Sequence, residues 1–515
     1  MTRLDPHLPQ QVQKATAPHA VVVGAGLGGL AASMRLGAMG YRVTIIDRLD
    51  VPGGRGSCIH KGGHRFDLGP TIVTVPQLYE DLWATCGRNF HDDIDLRRMD
   101  PMYEIRWPDG TRLSAQQSTD AMIKEIERIA PDDVPGYKRY LQDAENRYWF
   151  GFEDLGRRPM HKLWELIKVL PKFVWYRADR SIARHAQRRV KDPRVQFALS
   201  FHPLFIGGDP FKVTSMYALV SHLEKEFGVW YAIGGVAAMA RAMAKIIQEQ
   251  GGTLRMETEV DEILLEGNCA CGVRLVSGEE IDADIVVANS DVGHTYERLL
   301  RNYPKKRWTD RKLESRRWSM SLFVWYFGTK GTAGRWADVG HHTIASGPRY
   351  EGLVKDIFRD GKVTDDMSLY IHRPSVTDPT VAPKGGDTFY VLSCVPHLGH
   401  NTGVHWGHER DRYKAKMLEI LERDLMPGLG ETISEEEVFT PESFKSRYLS
   451  PFGAGFSLEP RIFQSAWFRP HNVSEEAENL FLVGAGTHPG AGVPGVVATA
   501  EVLCKVVPQP SEIRA

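Results

Sequence analysis

A chain of 515 residues is too long for one small domain and long enough for two or three modules with sizeable cores. Its 64 Lys and Arg nearly balance its 65 Asp and Glu, which argues against a nucleic-acid partner recognised through overall charge. Residues 1–18 form a polar leader without a signal peptide's apolar core, and no run approaches the roughly 18 apolar residues of a transmembrane helix. We therefore expect a cytoplasmic protein, with its six scattered cysteines reduced and no metal site.

The first readable unit is a βαβ pattern. A strand over residues 19–23 leads into a glycine turn, and a helix over Leu30–Met39 leads into a strand over 41–47. The turn reads Gly24-x-Gly26-x-x-Gly29, whose glycines permit a tight turn, close backbone approach to a pyrophosphate and helix packing. Asp47 lies 21 residues after Gly26, the separation at which an acid reaches a ribose hydroxyl. This unit predicts dinucleotide binding.

A second glycine loop, at residues 52–56 (PGGRG), directly follows the second strand. Paired glycines permit close backbone approach to a ligand, and Arg55 can pair with a pyrophosphate or lie against a flavin. A simple NAD-binding unit has no need of such a loop, so it favours FAD. Beyond it, residues 66–71 (FDLGPT) add a rigid turn that can pass beside the cofactor.

The rest of the chain alternates between helical and mixed segments. Residues 76–224 are helical and loop-rich, and a helix over 236–250 precedes strands near 253–257, 270–276 and 283–288. Strands of a second sheet are predicted over 318–328, 366–373 and 387–395. Residues 480–507 again read as strand, glycine turn and helix, and that helix's N-terminus would stabilise negative charge on a reduced flavin.

These pieces predict an α/β fold in which a discontinuous Rossmann-like FAD-binding domain carries an inserted α+β substrate domain and a helical membrane-facing region. The FAD-binding domain is expected to comprise residues 19–75, 225–310 and 455–515. The substrate domain is expected to comprise residues 76–224 and 311–454.

Six motifs resemble those of the bacterial phytoene desaturases of carotenoid synthesis. They are GAGLGG at 24–29, PGGR at 52–55, FDLGPT at 66–71, SFHPLFIGGDP at 200–210, SAWFRPHN at 465–472 and LVGAGTHPGAGVPG at 482–495. The resemblance runs from about His19 to Val506. It implies a fold like that of the flavin amine oxidases, one non-covalent FAD, and successive dehydrogenation of phytoene to neurosporene, lycopene or both.

Motif and resemblance together give a set of candidate cofactor-binding residues: Gly24, Ala25, Gly26, Gly28, Gly29, Asp47, Arg48, Gly54, Arg55, Gly69, Pro70, Thr71, Val260, Gly486, Thr487 and Val493. Forming a double bond also removes a proton, for which a base is one solution. Glu165, the only acid between Asp154 and Asp179, is the candidate base at a tunnel wall. The alternative for Glu165 is an exposed helix-face glutamate paired with Lys162 or Lys168.

A hydrocarbon substrate offers no polar handle, so we expect it to be bound by apolar burial in a long tunnel. The strand at 318–328 (WSMSLFVWYFG) is apolar on both faces, which fits either a channel wall or a fully buried strand. Residues 157–191 hold eleven Lys or Arg interleaved with aromatic residues, which favours docking on an anionic membrane surface over a merely solvated helix. We expect peripheral association with the inner membrane, and quinone or dioxygen as electron acceptor.

Three alternatives stay open. One is another carotenoid flavoenzyme, such as a desaturase of hydroxylated or methoxylated carotenoids or a carotene isomerase. Another is an amine or porphyrinogen oxidase. The third is a non-catalytic prenyl-binding carrier of similar fold, which would hold no flavin.

Overall fold

The computed structural model describes residues 17–400 and 403–513, so nearly all of the leader proposed for residues 1–18 lies outside the described residues. A parallel sheet of five strands forms the centre of the nucleotide half. Its three central strands are rich in β-branched residues and almost wholly buried, as parallel strands covered on two sides are. In spatial order they are Leu480–Leu482, Ile285–Ala288, His19–Val23, Arg42–Ile46 and Thr253–Arg255.

Both faces of this sheet are covered. Three helices, Leu27–Met39, Gly235–Glu249 and Val493–Cys504, share one apolar core with the sheet. The opposite face packs against a three-stranded antiparallel sheet of Val260–Glu266, Cys269–Leu275 and Glu280–Asp282. Segments far apart in sequence thus build a single three-layer unit, as the strand patterns predict.

The first helix begins earlier than predicted. It runs from Leu27 rather than Leu30, because Gly28 and Gly29 already take helical conformation directly after Gly26. The sequence pattern treats these glycines as turn residues, whereas the packing of the helix on the sheet makes them its first turn.

The second sheet has seven strands. Its strand Ser321–Thr329 is buried along its whole length. Phe323 and Trp325 pack beneath the helix Trp406–Asp424, whereas Leu322 and Tyr326 belong to the core on the other face. The strands, in spatial order, are Ile433–Phe439, Ser321–Thr329, Thr388–Val395, Leu369–His372, His342–Ala345, Tyr103–Arg106 and Arg112–Ala115.

Two further pairs of antiparallel strands and several more helices belong to the fold. Cys58–Lys61 pairs with His64–Asp67, and Leu96–Arg98 pairs with Trp230–Ala232. The remaining helices of eight or more residues are Gln77–Thr85, Thr119–Ile129, Val134–Tyr148, Leu163–Trp175, Pro193–Ser200, Leu219–Phe227 and Pro441–Tyr448. Within residues 17–400 and 403–513, no helix combines the length and the apolar character needed to cross a bilayer.

Candidate active site

The carboxyl ends of the parallel strands meet at one edge of the sheet, and the glycine turn lies there. The amide of Gly24 donates to the Ile46 carbonyl at 2.7 Å, and Gly24 has a φ of 102°, which favours glycine. A Cβ on Gly29 would lie 2.1 Å from the Gly24 oxygen, so this position admits no side chain. The third glycine therefore permits the close packing between helix and turn that a dinucleotide-binding fingerprint requires.

Asp47 is fixed by the backbone at the end of the second strand. One carboxylate oxygen accepts from the Ala25 amide at 2.7 Å and the other accepts from the Leu49 amide at 2.8 Å. Burial raises the pKa of Asp47 and the two amides oppose that rise. The Asp47 side chain lines a cavity, and each carboxylate oxygen has a second lone pair that can accept a hydrogen bond from a ribose hydroxyl.

The two glycine loops lie against each other. The amide of Gly53 donates to the Ala25 carbonyl at 2.8 Å, and a Cβ on Gly54 would lie 3.3 Å from the Cα of Gly26. Because neither glycine has a side chain, the two backbone segments lie close together and form a shallow depression in the cavity wall. Gly26 and Gly54 both line the cavity there. Such a depression fits a pyrophosphate.

Arg55 and Asp291 face each other at the cavity wall. Arg55 Nη2 lies 3.9 Å from Asp291 Oδ2 and also donates to the Ser450 hydroxyl, while the guanidinium lies 5.4 Å from the centre of the Tyr448 ring. Burial raises the pKa of Asp291. Arg55 Nε and Asp291 Oδ2 are buried without a hydrogen-bond partner among the described residues. These orphaned groups fit a polar cofactor at this wall.

A second helix N-terminus opens into the same cavity. The helix Val493–Cys504 starts after Gly492, whose φ is 97°, and residues 492–496 line the cavity. Free amides and the positive end of a helix dipole at this position favour an anionic ligand group. The residues present therefore fit a flavin dinucleotide cofactor.

An apolar chamber continues from the nucleotide edge, and the two together form one cavity of about 660 Å³. Leu322, from the long strand of the second sheet, and Leu166, from the helix Leu163–Trp175, both line it. Its wall is rich in aromatic rings, among them Phe152, Phe173, Phe205, Phe444, Phe463 and Phe468. A chamber of this kind binds hydrocarbon by apolar burial.

Most of the candidate cofactor residues line this one cavity, although their segments are widely separated in sequence. Those on its wall are Gly24, Gly26, Gly28, Asp47, Arg48, Gly54, Arg55, Gly69, Pro70, Thr71, Val260 and Val493. Those behind it are Ala25, Gly29, Gly486 and Thr487.

The residues behind the wall have supporting positions. Ala25 holds Asp47, and Gly29 packs on the Gly24 carbonyl. A Cβ on Gly486 would lie 2.5 Å from Val292, and Thr487 is fully buried. These positions support the wall, and contact between them and the cofactor stays a prediction.

Glu165 is not at the tunnel wall as expected. It is the third residue of the helix Leu163–Trp175, and its carboxylate accepts from the backbone amide of Lys162 at 3.0 Å in a capping box. Its neighbours Leu166, Leu170 and Phe173 line the cavity, but Glu165 is absent from the lining. Helical spacing explains the error, because the apolar side of this helix faces the chamber and Glu165 lies off that side.

Sequence reasoning missed the residues that follow the parallel strand Ile285–Ala288. Asn289 donates from Nδ2 to the Gly24 carbonyl at 3.0 Å, and Asn289, Ser290 and Asp291 all line the cavity. A polar run directly after the buried strand Ile285–Ala288 is the signal that identifies them, because strand ends in such sheets are ligand sites. Arg447 and Tyr448 are also on the wall, and no local motif marks them.

Comparison with known proteins places this architecture in a family. Residues 27–507 match the family model of the flavin containing amine oxidoreductases. A neurosporene-forming phytoene desaturase of Cereibacter sphaeroides is 67% identical over 97% of this chain and 96% of its own length. A lycopene-forming phytoene desaturase of a Paracoccus species is 40% identical over 95% of this chain and 97% of its own.

Among solved structures, a putrescine oxidase variant is similar in fold, with a TM-score of 0.64, 13% identity, and coverage of 96% of this chain and 98% of that one. The predicted α/β flavoenzyme fold and the predicted flavin cofactor are thereby confirmed. The chain belongs to the flavin containing amine oxidoreductase family and, within it, groups with the bacterial phytoene desaturases.

Proposed function

We propose that this protein is an FAD-dependent desaturase that converts phytoene by successive dehydrogenations to neurosporene. The observation that carries the proposal is the continuity of one cavity from the two glycine loops into an aromatic, apolar chamber. Neurosporene is favoured over lycopene because the relative at 67% identity is neurosporene-forming, whereas the lycopene-forming relative is 40% identical. Bound FAD supplies a two-electron acceptor that also takes one hydrogen from a saturated carbon.

The cofactor-holding residues are proposed from their positions. Gly26 and Gly54 would leave room for the pyrophosphate. Asp47 would accept hydrogen bonds from the ribose hydroxyls, and Val260 would lie beside the adenine. Arg55 neutralises charge on the bound cofactor, and the helix that begins at Val493 faces the flavin pyrimidine. The chain's own role is to orient the cofactor, exclude water and align the hydrocarbon beside it.

The two proposed domains meet at this cavity. The parallel sheet and its helices, from residues 19–75, 225–310 and 455–515, hold the cofactor. Residues 76–224 and 311–454 supply the chamber, with the seven-stranded sheet as its floor. Strand Leu96–Arg98 of the proposed substrate domain pairs with strand Trp230–Ala232 of the proposed FAD-binding domain. The two proposed domains are therefore joined by hydrogen bonds between strands as well as by the chain itself.

The helix Leu163–Trp175 is the proposed membrane-docking element. It exposes Trp164 and Trp175, which are 61% and 81% accessible, and the Lys168 ammonium lies 5.5 Å from the centre of the Trp164 ring. Leu166 and Phe173 of the same helix line the cavity. A basic, aromatic helix that joins the outside to the chamber supports loading of a lipid substrate from the inner membrane surface. Membrane quinone or dioxygen is the proposed electron acceptor.

Expression in cells that accumulate phytoene tests the proposal. The expected pigment has the absorption bands of neurosporene. Lycopene as the sole product would correct the number of steps, whereas unchanged phytoene in cells that contain the folded protein would contradict the function. The carrier alternative predicts unchanged phytoene and a purified protein without flavin.

A further inference from the structure

A row of hydrogen-bonded polar side chains extends outward from the cavity wall, although most of the chamber is apolar. Thr71 and Tyr370 both line the cavity, and their hydroxyl oxygens lie 2.6 Å apart. The Tyr370 hydroxyl lies 2.8 Å from Nδ1 of His342, which is 4% exposed. This hydrogen-bonded chain begins at the FDLGPT turn, the segment predicted to pass beside the cofactor.

Three buried histidines continue the path from His342. Their ring nitrogens lie within 4.8 Å of one another, and the centroid distances from His342 are 5.2 Å to His372 and 4.4 Å to His341. Nε2 of His342, Nε2 of His341 and both nitrogens of His372 lack a hydrogen-bond partner among the described residues. Nδ1 of His341 lies 2.6 Å from the hydroxyl of Thr377, which is half-buried and so borders solvent.

The surroundings keep these imidazoles neutral. Burial lowers the pKa of His341 and His342, and lowers that of His372 to about 3, so each ring keeps a lone pair at neutral pH. The charged groups that face the cluster are Asp67, whose Oδ2 is 3.9 Å from His372 Nε2, and Arg65. Burial raises the pKa of Asp67 to about 6, which gives the chain a further proton acceptor.

A metal site is the competing interpretation of three clustered histidines. Nitrogens bound to one zinc ion at about 2.0–2.1 Å lie roughly 3.3 Å apart, and the ring nitrogens of this group all lie within 4.8 Å of one another, so the metal content of the protein has to decide between the two uses. The Arg65 cation donates to the Tyr231 hydroxyl, whose ring packs on His341 and His372. The fixed positive charge of Arg65 opposes a permanently bound divalent cation more strongly than the single, transient charge of a proton in transfer, which favours proton transfer as the use of these nitrogens.

Desaturation needs such a path. For each double bond, one hydrogen leaves with its C–H electron pair to FAD, the oxidant, while the other leaves as a proton and its electron pair becomes the new π bond. A proton released into an apolar chamber has no water to solvate it, and an isolated charge there is costly. Glu224 also lines the chamber, but its two oxygens already contact Tyr103 and His202.

We propose, on the basis of the proposed function, that Tyr370 and His342 accept the proton lost from the substrate and pass it through His372 and His341 to Thr377. The Tyr370 oxygen takes the proton from carbon as its own proton moves to Nδ1 of His342. The resulting imidazolium then shares its charge with the neighbouring imidazoles, and solvent takes up the proton at Thr377. Tyr370 then holds the proton taken from carbon and His342 is again a neutral imidazole, so one proton has left the chamber for each double bond formed.

Two substitutions test the chain. Tyr370→Phe removes the hydroxyl, whereas His342→Asn keeps a hydrogen-bond acceptor that cannot be protonated at neutral pH. The matched control is Tyr413→Phe, which removes a buried hydroxyl 2.9 Å from Ser393 on the far side of the sheet, away from the cavity. Both test variants are expected to slow the first anaerobic turnover about 100-fold, the lower range of acid–base contributions, with phytoene binding and FAD affinity retained.

A second readout needs neither flavin nor turnover. In flavin-free protein labelled with nitrogen-15 at histidine, Tyr370→Phe is expected to shift the His342 Nδ1 resonance, whereas Tyr413→Phe leaves it in place. Rates of both variants within twofold of the wild type, in a wild type that converts phytoene, would overturn the relay alone. A wild type that fails to convert phytoene is instead a failure of the proposed function.

Two further outcomes overturn the relay. A Glu224→Gln variant that alone loses turnover would place the proton exit at Glu224. One equivalent of a metal ion, present in the wild type and lost in His342→Asn, would make the three histidines a metal site.

Discussion

Asn289 Nδ2 donates to the carbonyl oxygen of Gly24 at 3.0 Å, which ties the end of the strand Ile285–Ala288 to the glycine turn at the end of the strand His19–Val23. The same side chain fills the space that a Cβ on Gly28 or Gly484 would occupy, at 2.7 Å from Asn289 Oδ1 in each case. Asn289 therefore sets the spacing between the turn at Gly24 and the turn at Gly484, where we place the cofactor.

Asn289→Ala should weaken FAD binding. The change removes the side-chain donor to the Gly24 carbonyl and opens space beside Gly28, which together correspond to about 1–3 kcal/mol, or about 5- to 150-fold in Kd. Fluorescence titration of the flavin-free protein measures this. Asn302→Ala is the control, because Asn302 is exposed and bonds only to Glu262. Equal FAD affinity in both variants would contradict the role of Asn289.

Glu165→Gln should keep turnover within about twofold of the wild type. Glutamine retains an oxygen for the Lys162 amide, so the capping box survives, and the position does not line the cavity. Glu165→Ala should lower stability by about 0.5–2 kcal/mol, as lost helix caps do, with little change in chemistry. A large loss of kcat in Glu165→Gln at unchanged melting temperature would restore Glu165 as a candidate base.

Glu165 and Asp47 show how far sequence reasoning reaches. The position of Asp47 at the cavity could be predicted because it follows from a local pattern of strand, glycine turn and strand, with a fixed spacing. The position of Glu165 was predicted wrongly because its neighbours are apolar in sequence, and only the rotation of its helix decides which of them face the chamber. Tyr370, His342 and Arg447 come from strands and helices distant in sequence, so only the tertiary structure brings them to the cavity.

Stability should depend on pH through Glu459. This carboxyl is 2% exposed and 2.7 Å from the Arg461 guanidinium, and burial raises its pKa from 4.5 to about 7. Because the folded pKa is raised, the stabilising contribution is complete below about pH 4.5 and is lost as pH rises through 7. Glu459→Gln mimics the protonated form, so its melting temperature relative to the wild type should rise between pH 5 and pH 8.

The control for the Glu459 measurement is Glu279→Gln, an exposed partner of Arg255. The melting temperature of Glu279→Gln relative to the wild type should change little between pH 5 and pH 8, since exposed ion pairs contribute little to stability. A flat difference for Glu459→Gln across the same range would show that Glu459 is ionised in the folded protein at both pH values.

Membrane docking should depend on the exposed side of Leu163–Trp175. Trp164→Ser combined with Trp175→Ser removes two largely exposed indole rings, whose burial in the interface would stabilise binding by about 1.5–3 kcal/mol each. Sedimentation with anionic liposomes should fall at least tenfold. Reversal of Lys162, Lys168, Lys172 and Arg177 to Glu should also release the protein.

Val276→Ser provides the control for that surface, because Val276 is a 65% exposed apolar residue on a different layer. Its sedimentation should match that of the wild type. If the charge-reversed variant still sediments with anionic liposomes, the basic helix is not the docking surface.

The central claim is that one cavity holds FAD at its glycine-lined end and phytoene in its aromatic chamber. The most direct measurement mixes flavin-loaded protein with phytoene liposomes in the absence of oxygen and any other acceptor, and follows flavin absorbance and extracted carotenoids. The account predicts bleaching of the flavin with one new double bond formed per FAD reduced. A protein that takes up no FAD, or whose bound FAD stays oxidised in the presence of phytoene, would contradict it.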